Sequence, residues 1–143
     1  MASKKPPQWY RKTYGHFSEQ AWNEAVDRTR DILVDWAKKG AIGTYGDLIT
    51  ELGMLDWPDG PYTHHGSQVG KLLGDASVAE WVEDRPLVSA LVISRDGGGP
   101  GDGFYGLCEE LLGDVIGSSE ETKDRVWARE VARCHEYWRA EKR

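Results

Sequence analysis

The segment from Gly43 to Gly74 constrains this chain more than any other. It reads Gly43-Thr44-Tyr45-Gly46-Asp47-Leu48-Ile49-Thr50-Glu51-Leu52-Gly53, then a turn-rich loop, then Ser67-Gln68-Val69-Gly70-Lys71-Leu72-Leu73-Gly74. The Thr44 hydroxyl can accept the backbone N–H of Asp47 while the Asp47 carboxylate reaches back, the reciprocal pairing that starts a helix. Leu48, Ile49 and Leu52 then share one face, and Gly53 supplies a left-handed stop. Val69, Leu72 and Leu73 make a second stripe of the same kind, with Gly74 as its end. Two short amphipathic helices joined by a turn and followed by a strand predict a helix-turn-helix with a wing.

Longer helices flank this segment. Ser18 caps a helix over Glu19–Lys39, with Glu19 and Glu24 early and Lys38 and Lys39 late, as the helix dipole favours. Trp22, Ala25, Val26, Thr29, Leu33 and Trp36 recur along it at helical spacing, and Gly40 ends it. Toward the other terminus, Ser118 and Glu121 form a capping box ahead of a stripe of Val126, Trp127, Val131, Cys134 and Trp138. Between the two, Val78–Asp84 continues as acidic helix, and Pro86–Ser94 reads as a strand buried on both faces. The expected fold is mostly α with a small β element: a winged-helix-like helix-turn-helix core between long N- and C-terminal helices. Residues 1–16 are expected to form a basic mobile arm, and 17–143 a single winged-helix-like domain.

Charge is unevenly spread. The whole chain carries −6, yet residues 1–15 hold Lys4, Lys5, Arg11 and Lys12 and no acid, so the rest is strongly acidic. Such an arm suits contact with phosphate, while the acidic body disfavours indiscriminate DNA binding. Trp9, Tyr10 and Tyr14 within the arm can stack on bases or dock on the domain; docking is favoured because exposed aromatics are costly. No apolar run approaches the ~18 residues of a membrane span, and the N-terminus lacks a secretory apolar core. A cytoplasmic protein without membrane contact is expected, with Cys108 and Cys134 as buried, reduced thiols.

The remaining candidates for chemistry are sparse. His64 and His65 are adjacent, which points them apart on any regular element, and they lack a third ligand nearby; no metal site is expected. The run Gly97-Gly98-Gly99-Pro100-Gly101-Asp102-Gly103 can cradle a phosphate with backbone N–H groups, but Gly-Lys-Ser and Gly-Lys-Thr signatures are absent and Asp102 repels an anion. These glycines, with Arg95, fit a structural loop or the tip of a wing better, and no cofactor is expected.

The pattern Ala21-Trp22, Ile32-Leu33, then Gly40-x-Ile42-Gly43-Thr44-Tyr45-Gly46-Asp47-Leu48, with Val69-Gly70-x-Leu72-Leu73 downstream, resembles the DNA-binding domain of the alkylguanine-DNA alkyltransferases and the alkyltransferase-like proteins. The resemblance covers roughly residues 20–107. It implies that Tyr45 occupies the place of the tyrosine that helps rotate a target nucleotide out of the duplex. The family's arginine finger falls where this chain has Ser67-Gln68, and its reactive Pro-Cys-His-Arg strand is absent. Laying the family's Val-Val pair on Val92-Ile93 puts Ser89 at the cysteine, Ala90 at the histidine and Leu91 at the arginine. The resemblance therefore implies a reader without alkyl transfer.

Three functions follow as expectations. The first is a non-catalytic protein binding double-stranded DNA, with Tyr45, Ser67, Gln68 and Lys71 at the helix-turn-helix and Lys4, Lys5, Arg11 and Lys12 on phosphates. The second is a protein-interaction module, an accessory or regulatory subunit of a DNA-processing or defence system, suggested by the acidic body and seven tryptophans. The third is a metal- or nucleotide-dependent enzyme using the glycine loop with Asp96, Asp102, Glu109 or Glu110.

Overall fold

The computed structural model describes residues 4–12, 17–53, 65–95 and 99–141, with the side chains of 65–68 and 140–141 excepted. Five helices carry the fold: α1 (Glu19–Lys38), α2 (Tyr45–Leu52), α3 (His65–Trp81), α4 (Asp102–Leu112) and α5 (Glu120–Glu141). Two short strands, β1 (Gly43–Thr44) and β2 (Val92–Ile93), pair in parallel with Gly43 opposite Val92 and Thr44 opposite Ile93. The protein is mostly α with a small β element, as the sequence predicts.

Local signals set α1 and α2. Ser18 Oγ accepts the Ala21 N–H at 3.1 Å. Thr44 Oγ1 accepts the Asp47 N–H at 3.1 Å and Asp47 Oδ2 accepts the Thr44 N–H at 2.9 Å, so the predicted capping box is complete. Gly53 closes α2 at φ 72°, where a β-carbon would be strained. Leu48, Ile49 and Leu52 are buried, as their spacing requires.

Three elements differ from the sequence expectation. The segment expected to stop at Gly74 is one long helix: α3 passes through Gly70 and Gly74 and ends at Trp81. Packing overrides the weak helix preference of glycine, because Val69, Leu72, Leu73, Ala76 and Val78 are all buried along it. The apolar run expected as a strand forms instead a 3-10 turn over Val88–Leu91 and only then the two-residue β2. This turn lies among α1, α3 and α5, so all four of its residues are buried without a sheet around them. Side chains of α5 satisfy the backbone there: Trp127 Nε1–H donates to the Ala90 carbonyl at 2.9 Å, and the Cys134 thiol donates to that of Leu87 at 3.3 Å. Finally, α5 is capped by Ser119 rather than Ser118, its Oγ accepting the Thr122 N–H at 3.2 Å.

Two apolar clusters meet at the 3-10 turn. One joins α1, α2, α3 and α5 around Trp22, Leu33, Leu48, Leu72 and Leu91; the other joins α4 and α5 around Leu87, Phe104, Cys108 and Val126. Burying each of these larger side chains is worth about 2 kcal/mol. Two fully buried carboxylates sit between the elements. Glu80 of α3 is paired with Arg30 of α1 and with Arg85. Glu130 of α5 is paired with Arg129 and Arg133, and Arg129 also holds Asp114 at 2.7 Å.

Candidate functional site

The first residue of α2, Tyr45, points away from its own helix toward the start of α4. Its hydroxyl accepts the Gly101 N–H at 2.9 Å, and a β-carbon at Gly101 would stand only 2.9 Å from that oxygen, so glycine is required for the approach. This hydrogen bond fixes the ring as one wall of a cavity of about 360 Å³. Opposite stand Phe104, Leu107 and Glu110 of α4; α3 contributes Gly70, Lys71, Leu73 and Gly74. Ser89 of the 3-10 turn reaches the cavity from the core. The lining is mainly apolar with a few convergent polar groups, the usual composition of a small-ligand site.

The remaining wall is Trp9, more than thirty residues from Tyr45 in sequence. Its indole N–H donates to both Glu110 carboxylate oxygens at 3.2 Å, its ring faces Gly74, and Lys71 Nζ stands 5.9 Å from a ring centroid. The arm behind it is fastened to α1 and α3. The Arg11 N–H donates to Asp75 Oδ1 at 3.1 Å, while its guanidinium donates to Asn23 Oδ1 at 2.6 Å and pairs with Asp27 at 3.4 Å. Asp75 also accepts the Trp22 indole N–H at 2.9 Å. Burial pushes the Asp75 carboxyl above its ordinary range, partly offset by these donors and by nearby Arg11 and Lys71. Farther back, Lys4 pairs with Asp84 at 3.0 Å and lies 4.9 Å from the Trp81 ring centroid. Arg11 has φ 58°, a left-handed conformation costing a non-glycine residue about 1 kcal/mol.

The structure thus brings Tyr45 and Lys71 together around one cavity. Lys4 and Arg11 are engaged with carboxylates of the body, whereas Lys5, Lys12 and Arg95 are exposed. Ser67 and Gln68 lie in the first turns of α3, their side chains outside the description. Gly99 and Gly101 lead into α4, and Gly103 lines the cavity. His64, Asp96, Gly97 and Gly98 fall outside the described residues. At the head of α4, the Gly101 N–H is already taken by the Tyr45 hydroxyl. Among the described residues no group of three or more His, Cys, Asp and Glu can hold a metal ion, and no helix is long and apolar enough to cross a membrane.

Ser89, Cys108 and Cys134 are not set up as nucleophiles. Ser89 is 3% exposed; its hydroxyl lies 2.7 Å from that of Ser77, and its N–H donates to Ser77 Oγ at 3.0 Å. A serine paired with a serine has no base to remove its proton. Burial pushes the Cys108 thiol up to about 12 and raises Cys134 too, so both remain protonated at neutral pH. Neither thiol is expected to react with a maleimide or an alkylated guanine in the native protein, and both should react after denaturation. Mass spectrometry of the treated protein checks this; native-state labelling at either cysteine would contradict it.

Sequence alone did not reveal the contributions of Ser77, Asp75, Phe104 and Leu107. Phe104 and Leu107 carry an ordinary helical stripe that is also what core residues show. The docking of Trp9 was foreshadowed by its aromatic character; its partner Glu110 was not.

No family model and no solved structure matches the chain. Synaptojanin-2 of Rattus norvegicus is 32% identical over 74 residues, taking in 46% of this chain and 5% of that protein. The chain spans only that small fraction of the relative, and no functional assignment is transferred from it.

Proposed function

We propose that the protein is a non-catalytic, winged-helix-like DNA-binding protein related to the alkyltransferase-like proteins. It engages duplex DNA through the α2–α3 face, with Tyr45 at the backbone, Lys71 on a phosphate and the N-terminal cations adding further phosphate contacts. The observation that carries this reading is the convergence of the capped Thr44-Tyr45-Gly46 turn and the Val69–Leu73 segment on one cavity, with Ser89 at its edge. That is the arrangement expected of a reader whose chemical centre holds an unactivated hydroxyl.

Fluorescence anisotropy with a labelled duplex at low salt tests it. Tyr45→Ala is expected to weaken binding about tenfold, the scale of one lost aromatic contact to a nucleotide. Tyr45→Phe, which loses only the hydroxyl held against Gly101, should lose less, and circular dichroism checks that both variants are folded. Absence of duplex binding by the parent protein, or unchanged binding by a folded Tyr45→Ala, would overturn the proposal. In that event the protein-interaction module becomes the better reading, because Lys4 and Arg11 already satisfy acids of the same molecule.

A further inference from the structure

The arm is built as a fastening. Trp9 hooks Glu110, Arg11 is held at Asp75, Asn23 and Asp27, and Lys4 is held at Asp84. Two backbone turns, Tyr10 N–H to the Pro7 carbonyl and Lys12 N–H to that of Trp9, each 3.1 Å, place the indole between the anchors. Every anchor is polar, and three of them, Trp9–Glu110, Arg11–Asp27 and Lys4–Asp84, have an exposed partner, so water and salt compete with them, while the Asp75 and Asn23 contacts are half-buried. The left-handed backbone at Arg11 adds strain that release relieves.

We infer that residues 4–12 form a releasable strap that roofs the cavity with Trp9 and, when docked, withholds Lys4 and Arg11 from phosphate. Undocking opens the cavity beside Tyr45 and frees two cations in one movement. Access to the cavity and affinity for a polyanion therefore rise together. The second consequence rests on the DNA-binding reading above; the first does not.

The test frees Arg11 without deleting any arm cation. In the full chain, Asn23→Ala with Asp27→Asn removes the Asn23 acceptor of the guanidinium and the negative charge that pairs with it at Asp27. Asp31→Asn, an exposed acid on the same helix, controls for the change in charge. Trp9→Ala removes the roof directly. Trypsin cleavage after Lys4, Arg11 and Lys12 reports docking, because proteolysis follows the population of the open form. Anilinonaphthalene sulfonate fluorescence reports an opened apolar cavity, and duplex anisotropy reports phosphate binding.

The double variant is expected to be cleaved about tenfold faster than the parent, the effect of losing one charge-assisted hydrogen bond. It and Trp9→Ala should both bind the dye more strongly, and the double variant should bind duplex several-fold tighter than Asp31→Asn. Faster cleavage and dye uptake without any duplex binding would support the strap and overturn the DNA reading. Cleavage and dye binding equal to the parent's in both folded variants would overturn the strap.

Discussion

Glu80→Ala is expected to lower stability by about 3 kcal/mol, and the melting temperature by roughly 10 °C. Glu80 is fully buried, and its carboxylate is the common partner of Arg30 and Arg85. Removing it leaves two guanidinium groups facing each other with no anion between them, and a void where the carboxylate stood. The arginine side chains keep 30% and 22% of their exposure, so water recovers part of the loss. That places the cost at the lower end of the range for breaking a buried ion pair. Arg85→Ala should cost less, because Arg30 still neutralises Glu80. Urea unfolding of the two variants gives the comparison; equal losses, or a Glu80→Ala loss below 1 kcal/mol, would show that the pair contributes little. Since Glu80 fastens α3 to α1, Glu80→Ala should also loosen the helix that carries Lys71.

The second large effect is the salt dependence of duplex binding. Each phosphate contact contributes a slope of about −0.9 in log affinity against log salt. Lys5, Lys12 and Lys71 alone would give roughly a 40-fold loss between about 50 and about 200 mM salt. If Lys4 and Arg11 join them after the arm undocks, the loss becomes roughly 500-fold over the same interval. Anisotropy titrations at several salt concentrations distinguish the cases. Neutralising the four arm cations together with Lys71 should flatten the dependence, and a slope near zero for the parent would rule out phosphate contact by these groups. The acidic remainder of the molecule makes a steep slope the more informative result, because it cannot arise from general attraction to DNA.

What was legible in the sequence was what neighbouring residues decide. The starts of α1 and α2 are written in Ser18, Thr44 and Asp47, whose hydrogen bonds close within three residues. Gly53 ends α2 for an equally local reason. Gly74 misled because glycine breaks a helix only when nothing else holds it; here the buried flank from Val69 to Val78 does. The Val88–Leu91 turn was read as a strand because a short apolar run buried on all sides has no periodicity to distinguish the two. Glu80 lay in a stretch read as an acidic, partly buried helix, and its ion-pair partner Arg30, fifty residues away, was not legible there. The cavity was half legible. Tyr45 and Lys71 come from the motif, but Trp9 meets Glu110 across 101 residues, a separation no local pattern encodes.

The pairing of Gly43–Thr44 with Val92–Ile93 bears on how the molecule assembles. It ties a lasso of about fifty residues, whose closure costs roughly 3 kcal/mol in chain entropy, more than so short a ladder returns on its own. The knot must therefore tighten after the helices inside the loop have found one another, with Leu48 and Val92 already committed to the same core. Those four residues record a completed collapse rather than nucleate one.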